Sequence, residues 1–316
     1  MSEIATRAAF EPGLLRSWRF DGGFIVATAG TALLTGLALA IRPDLFPLIF
    51  ALDTWFLGYL HVMATFTKFA GDAENRTRNR FLLFGLPVLV LAASAGAWGL
   101  GGLGLLTSIY FYWQAFHYAR QSLGVASAYG RKAPPLADEP VWLLHSVIYL
   151  VPLWGVLHRL SERPARFLGA EFFTVPVPPA VVVVAGAMAA ASVLLWAAFR
   201  LRSATRGELA IGQTAFVVSH VAVFSVGYVL MPDLNSGWIV ANIWHNLQYL
   251  AFVWLAANER YRDAVDPRAP LVSRLSRKAW LPLFLLALLA LVIALYGGLT
   301  LAAPALVMLG VPMVVI

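Results

Sequence analysis

The 316-residue chain contains no cysteine. That one absence excludes disulfides, thiolate metal ligands, iron–sulfur clusters and thiolate nucleophiles together. Charge is scarce as well. Only 12% of residues are Asp, Glu, Lys or Arg, about half the share of a soluble globular domain. Acidic groups are the scarcer sign, 16 against 23 Lys and Arg. Also missing are a H-E-x-x-H zinc motif, a clustered histidine box, a phosphate-binding Walker loop and a G-x-S-x-G nucleophile elbow. No alternating, strand-like run longer than a few residues occurs, and no fixed-period repeat stands out.

What fills the chain is apolar. Hydrophobic residues make up 60% of it, and the mean hydropathy is +0.75. Runs of 18 or more apolar residues recur, each long enough to cross a hydrocarbon layer of about 30 Å. The pattern predicts an all-α, polytopic membrane bundle of about nine transmembrane helices, at 22–41, 45–70, 81–100, 105–126, 141–160, 178–199, 209–230, 237–256 and 280–298. Residues 1–316 form a single transmembrane domain on this reading, with 257–279 as the longest cytoplasmic loop. The apolar stretch from Ala303 to Ile316 is too short to span. It is read as re-entrant, interfacial or the beginning of a further helix. The segment from Met1 to Asp21 lacks a small-residue cleavage site, so the first apolar run is expected to be a retained span.

The net charge of +7 orients the chain and does not imply a nucleic-acid partner. With the N-terminus cytoplasmic, nineteen Lys and Arg fall on inner segments and only Arg42, Arg159, Arg163 and Arg166 on outer ones. This obeys the positive-inside rule at every cytoplasmic loop. The expected location is a cell membrane, the bacterial cytoplasmic membrane by this reading, with the lipid bilayer as the first partner. Outer loop 161–177 carries Phe172, Phe173 and Pro176 and is placed either along the headgroups or over the bundle. Loop 129–140 is a proline-rich connector.

Topology turns histidine positions into depths. At 1.5 Å of rise per residue, His61 and His117 lie about 14 Å from the cytoplasmic helix ends, and His220 and His245 about 16 Å. His145 and His158 lie nearer the ends of their span. Ionisable groups at mid-membrane are expensive and point to function. One such histidine is as readily a helix–helix hydrogen-bonding residue as a ligand; four at a common depth favour a shared site.

Each of the four has polar company on its own helix face. Gln114 and Gln121 flank His117; Asn242, Gln248 and Tyr249 flank His245; Gln213 precedes His220; Thr54 and Thr65 share the side of His61. Metal-bound imidazoles need such partners for their second nitrogen. The expected metal ligands are therefore His61, His117, His220 and His245. Gln114, Gln121, Asn242, Gln248, Tyr249, Gln213 and Asp53 are the expected supporting shell. Asp53 is the one acidic residue that the sequence places clearly inside a span. It is read first as a helix-packing carboxylate and otherwise as a balance to metal charge. Tyr118, Trp244 and the other aromatic residues near the histidines are read as packing.

An imidazole donor set favours iron, copper, zinc or nickel over magnesium and calcium. The lack of paired Glu and Glu-x-x-His motifs argues against a carboxylate-bridged di-iron centre. Single histidines on separate spans, without histidine boxes, give the chain an architecture that resembles the Brp/Blh-type carotenoid-cleaving dioxygenases. Those are polytopic bacterial enzymes of similar size that bind iron through histidines inside the bundle. The closely spaced histidine pair usual in them is absent here, so the resemblance transfers no individual residue roles. It implies a histidine-ligated, non-heme iron oxygenase acting on a lipophilic small molecule, with a possible electron-donor protein as partner. Two alternatives stand beside that oxidoreductase reading: a heme protein for electron transfer or gas binding, with two histidines as axial ligands, and a proton- or metal-coupled transporter. Copper is an alternative metal.

Overall fold

The computed structural model describes residues 13–70, 73–133, 139–277 and 280–308. The last eight residues of the 303–316 stretch lie outside them. The described chain is almost entirely helical. Seven helices are long and apolar enough to cross a membrane: Trp18–Ile41 (α1), Pro43–Thr67 (α2), Phe81–Lys132 (α3), Val141–Ser161 (α4), Pro179–Thr205 (α5), Ile211–Leu230 (α6) and Pro282–Ala302, which is α8 in chain order. Between the last two runs Leu234–Arg260 (α7). It is less apolar than the others because its interior holds Asn242, His245, Asn246 and Gln248. Residues 236–246 are nonetheless buried without a break, as expected for a helix whose polar groups turn away from lipid. The only strands among the described residues are β1 (Arg166–Phe167) and β2 (Ala170–Glu171), an antiparallel pair.

α3 merges what the sequence reads as two spans. Its 52 residues would run about 78 Å if straight. The break falls at Gly101 (φ −152°, ψ 16°) and Gly102 (φ 60°, ψ −153°). The second of these conformations is open essentially to glycine alone. Among the described residues, five helices contain a π turn, at Gly23–Ala27, Thr54–Gly58, Phe81–Gly85, Val226–Leu230 and Ile293–Gly297. Each adds one residue to the local turn, and such turns gather at functional sites.

The chain divides into two compact units. The first comprises Met1–Asp44 and Thr107–His245. Its helices meet where glycine removes the side chain. A Cβ on Gly155 of α4 would stand 2.5 Å from Tyr228 Cβ of α6, and one on Gly36 of α1 would stand 2.9 Å from Val240 Cγ2 of α7. The α6–α7 crossing is closer still: a Cβ on Gly237 would lie 2.0 Å from the Gly227 carbonyl oxygen. Small residues at crossings are how helices attract each other in lipid, where apolar burial gives no drive.

α1 opens on a built cap. Asp21, 2% exposed, accepts from the backbone N–H groups of Leu15, Arg16 and Ser17 at 2.9–3.0 Å. It is a second buried acidic residue within a span, beside Asp53. The segment before it is stitched to the end of α3: Gly13 N–H donates to the Lys132 carbonyl at 2.8 Å, and the Lys132 ammonium donates to the Leu15 carbonyl. Among the two outcomes foreseen for loop 161–177, the structure gives a cap. Its hairpin turns through Leu168 (φ 49°) and Gly169 (φ 83°). Phe167 and Phe172 are buried, with Phe167 5.2 Å from Phe111 and 5.5 Å from Trp238, ring centre to ring centre.

The second unit comprises Leu45–Leu106 and Asn246–Ile316. Tyr59 of α2 stacks on Tyr296 of α8 at 3.8 Å. The segment after α7 holds a short helix, Pro270–Leu275. It is tied back by Asn258 Nδ2, which donates to the Ser276 carbonyl at 2.8 Å.

Candidate metal centre

In the first unit, the second arm of α3 and the first half of α7 bring two imidazoles together. His117 and His245 lie 4.9 Å apart, ring centre to ring centre, at an interplanar angle of 67°. His245 is 3% exposed and His117 is half-buried. Gln121, one turn after His117, donates from Nε2 to the His245 main-chain carbonyl at 3.1 Å. That bond fixes α3 against α7 at the level of the two rings. Gln121 thus supports the pair through backbone, not through an imidazole nitrogen.

Gln114 and Asn242 take a different task from the one the sequence suggests. The Tyr118 hydroxyl faces Asn242 Oδ1 at 2.5 Å and also Gln114 Oε1, while Trp238 Nε1 donates to that same Gln114 oxygen at 2.7 Å. A phenol has one proton and can donate to one carbonyl oxygen only. Turning the Asn242 amide by 180° makes its NH2 a donor to Tyr118 and satisfies the whole set. The Tyr118 ring meanwhile lies 4.4 Å from His245. Tyr118 is therefore more than packing: it joins the outer cap, through Trp238 and Gln114, to a candidate ligand.

His220 is placed elsewhere. It is fully buried with Nε2 3.2 Å from the Ile148 carbonyl of α4. Its ring neighbours are Phe224 at 4.6 Å and Trp244 at 5.8 Å. Gln213, expected beside it, lies two turns away near the start of α6. There its Oε1 accepts from Arg200 at 2.7 Å and its Nε2 donates to the Ala126 carbonyl at 2.9 Å. Arg200 is one residue whose role the sequence hides. Counted among loop cations, it is 4% exposed, paired with Glu139 at 3.0 Å and set 5.3 Å over the Trp196 ring. Trp196, one turn earlier on the same face of α5, was the available signal, whereas Glu139 is remote in sequence.

The second unit holds His61, Tyr249, Gln248 and Asp53. His61 stacks on Tyr249 at 3.9 Å and 27°. The Tyr249 hydroxyl meets Thr65 Oγ1 at 2.6 Å, and Thr65 Oγ1 is 3.1 Å from the His61 carbonyl. Since a carbonyl only accepts, Thr65 donates to it and Tyr249 donates to Thr65. Asp53, 3% exposed, accepts from Asn246 Nδ2 at 3.4 Å. Gln248 is fully buried, and neither amide atom has a hydrogen-bond partner among the described residues. The two histidines set aside by depth stay apart: His145 is exposed, and His158 faces Glu162 at 3.6 Å.

No protein-family model, no curated protein and no solved structure matches the chain.

Proposed function

We propose that the chain is a multi-pass membrane metalloenzyme in which His117 and His245 hold one metal ion, iron by preference, to oxidise a lipophilic substrate. The observation that carries this reading is the His117–His245 pair, two imidazoles 4.9 Å apart on neighbouring helices. An imidazole-only donor set suits iron, copper or zinc. His220 is left out, since its ring is engaged with Ile148 and two aromatic side chains. Two axial ligands of a heme stand on opposite sides of the macrocycle, and rings as close as His117 and His245 leave no space for one between them. That favours the non-heme reading over the heme alternative.

A histidine-held iron supplies dioxygen activation against an apolar substrate. The residues of this chain supply the setting. Gln121 holds the α7 backbone, the Tyr118 ring lies against His245, and Tyr249 is locked by Thr65 against His61. Nine spans with a cytoplasmic N-terminus complete the proposal. They are the seven apolar helices, with α3 counted twice because of its glycine break, together with α7. Substrate then enters from the bilayer, reducing equivalents come from a partner protein, and the membrane is the bacterial cytoplasmic one.

Elemental analysis of the purified full chain tests the reading. One metal per chain is expected for wild type and for His220→Ala, with loss in His117→Ala and His245→Ala. Full occupancy retained by both of the latter variants refutes it.

A further inference from the structure

His220 and Trp244 are two buried polar side chains of the first unit that the metal reading does not use. His220 is 0% exposed and Trp244 1%. Their rings lie 5.8 Å apart at 52°, walled by Phe216, stacked on Trp244 at 5.8 Å, and by Phe224, edge-on to Trp244 at 5.9 Å. The proton on His220 can be assigned from geometry. Its Nε2 faces the Ile148 carbonyl, which only accepts, so Nε2 carries the hydrogen and the neutral ring leaves Nδ1 as an acceptor. His220 Nδ1 has no hydrogen-bond partner among the described residues, and neither does Trp244 Nε1, a donor. One unmet acceptor and one unmet donor thus sit on neighbouring rings among buried aromatic side chains. Buried polar atoms in native proteins are nearly always satisfied, by protein or by a bound molecule.

We propose that His220 Nδ1 and Trp244 Nε1 together bind one hydroxyl group. A hydroxyl fits both at once: its hydrogen goes to Nδ1 and its oxygen accepts from Nε1–H. A carbonyl would satisfy Trp244 alone and an ammonium His220 alone. A metal cation would be repelled by the Trp244 N–H. The hydroxyl belongs either to an internal water or to the alcohol end of a membrane-soluble molecule. The proposal stands on the first unit alone and does not require a metal.

The test uses metal-free full-length protein in lipid nanodiscs, labelled with 15N-histidine. The His220 signals are assigned by their loss in His220→Phe. A non-protonated Nδ1 that accepts a hydrogen bond resonates upfield of a bare one. The expected result is an upfield Nδ1 in wild type that moves downfield in Trp244→Phe, where the ring remains but the donor is gone. Water as the source gives the upfield signal in plain lipid, unchanged by added 1-decanol. An alcohol as the source gives a bare signal that 1-decanol, and not decane, moves upfield. Nδ1 bare in every sample overturns the proposal, as does an upfield signal indifferent to Trp244→Phe. A monodisperse, helical Trp244→Phe protein establishes that the variant is folded.

Discussion

The α6–α7 crossing makes a sharp prediction. Replacing Gly237 by alanine sets a methyl 2.0 Å from the Gly227 carbonyl oxygen, whereas non-bonded carbon needs about 3.5 Å. The obstacle is backbone, so no rotamer change relieves it, and the helices must part by roughly 1 Å or more. Overpacking of this kind costs about 1–3 kcal/mol. The upper end is expected here because both partners are main chain. Gly30, in the body of α1, is the control: a Cβ there meets nothing within 4 Å, and alanine should stabilise the helix by about 0.5–1 kcal/mol. The two substitutions are chemically identical and opposite in sign, separated by roughly 3 kcal/mol. Unfolding in mixed micelles of rising SDS content, followed by far-UV circular dichroism, reads the difference. Gly237→Ala as stable as wild type, with Gly30→Ala unchanged or worse, would refute the packing described at this crossing.

Three further outcomes follow from single contacts. Gln121→Leu should lower metal affinity about tenfold, the low end for residues that support ligands, while stability falls by about 1 kcal/mol; equilibrium dialysis against Co2+ giving wild-type affinity would remove Gln121 from the site. Burial raises the pKa of Glu139, and neighbouring Arg200 partly pulls it back down. The folded state therefore holds that proton at pH values where the unfolded chain has lost it, so stability should fall as pH rises above the ordinary carboxylate range. Glu139→Gln should flatten that slope in unfolding measured from pH 4 upward, and a slope kept intact would exonerate Glu139. Leu168→Asn should slow amide hydrogen exchange in the outer hairpin several-fold, because asparagine adopts φ near +50° more readily than leucine; faster exchange would mean that the Leu168 side chain matters more than its backbone.

Much of this was legible in the sequence because membrane chains obey few rules. Apolar runs located the helices, with ends short by up to six residues at Lys132 and Thr205, and depth in the sequence set His61, His117 and His245 apart from His145 and His158. Depth could not separate His220. It shares the level of the others, but helix rotation aims its ring at Ile148, and rotation depends on packing. The supporting shell fared similarly. Gln121 acts beside His245 as its position suggests, yet by binding a carbonyl. Gln213 lies two turns from His220 on the same helix, and a cation from α5 claims it. Arg200 reads as one more cation of an inner segment until Glu139 and Trp196 are seen around it. α7 is the reverse case: its hydropathy is too low for a simple lipid-facing span, and the same polar residues mark it as the best-buried helix of the chain.

The π turn at Thr54–Gly58 has a consequence for which face of α2 His61 shares. In a regular α-helix, Asp53 and His61, eight residues apart, would diverge by about 80°, while Thr54 would fall within about 20° of His61. One surplus residue in between exchanges them. Asp53 comes to within about 20° of His61 and Thr54 swings about 120° away. Deleting one residue from 55–58 would restore plain α-helix and leave the carboxylate and imidazole aligned; inserting one would separate them. The segment should therefore tolerate shortening and not lengthening, an asymmetry in the opposite sense to the usual surface loop.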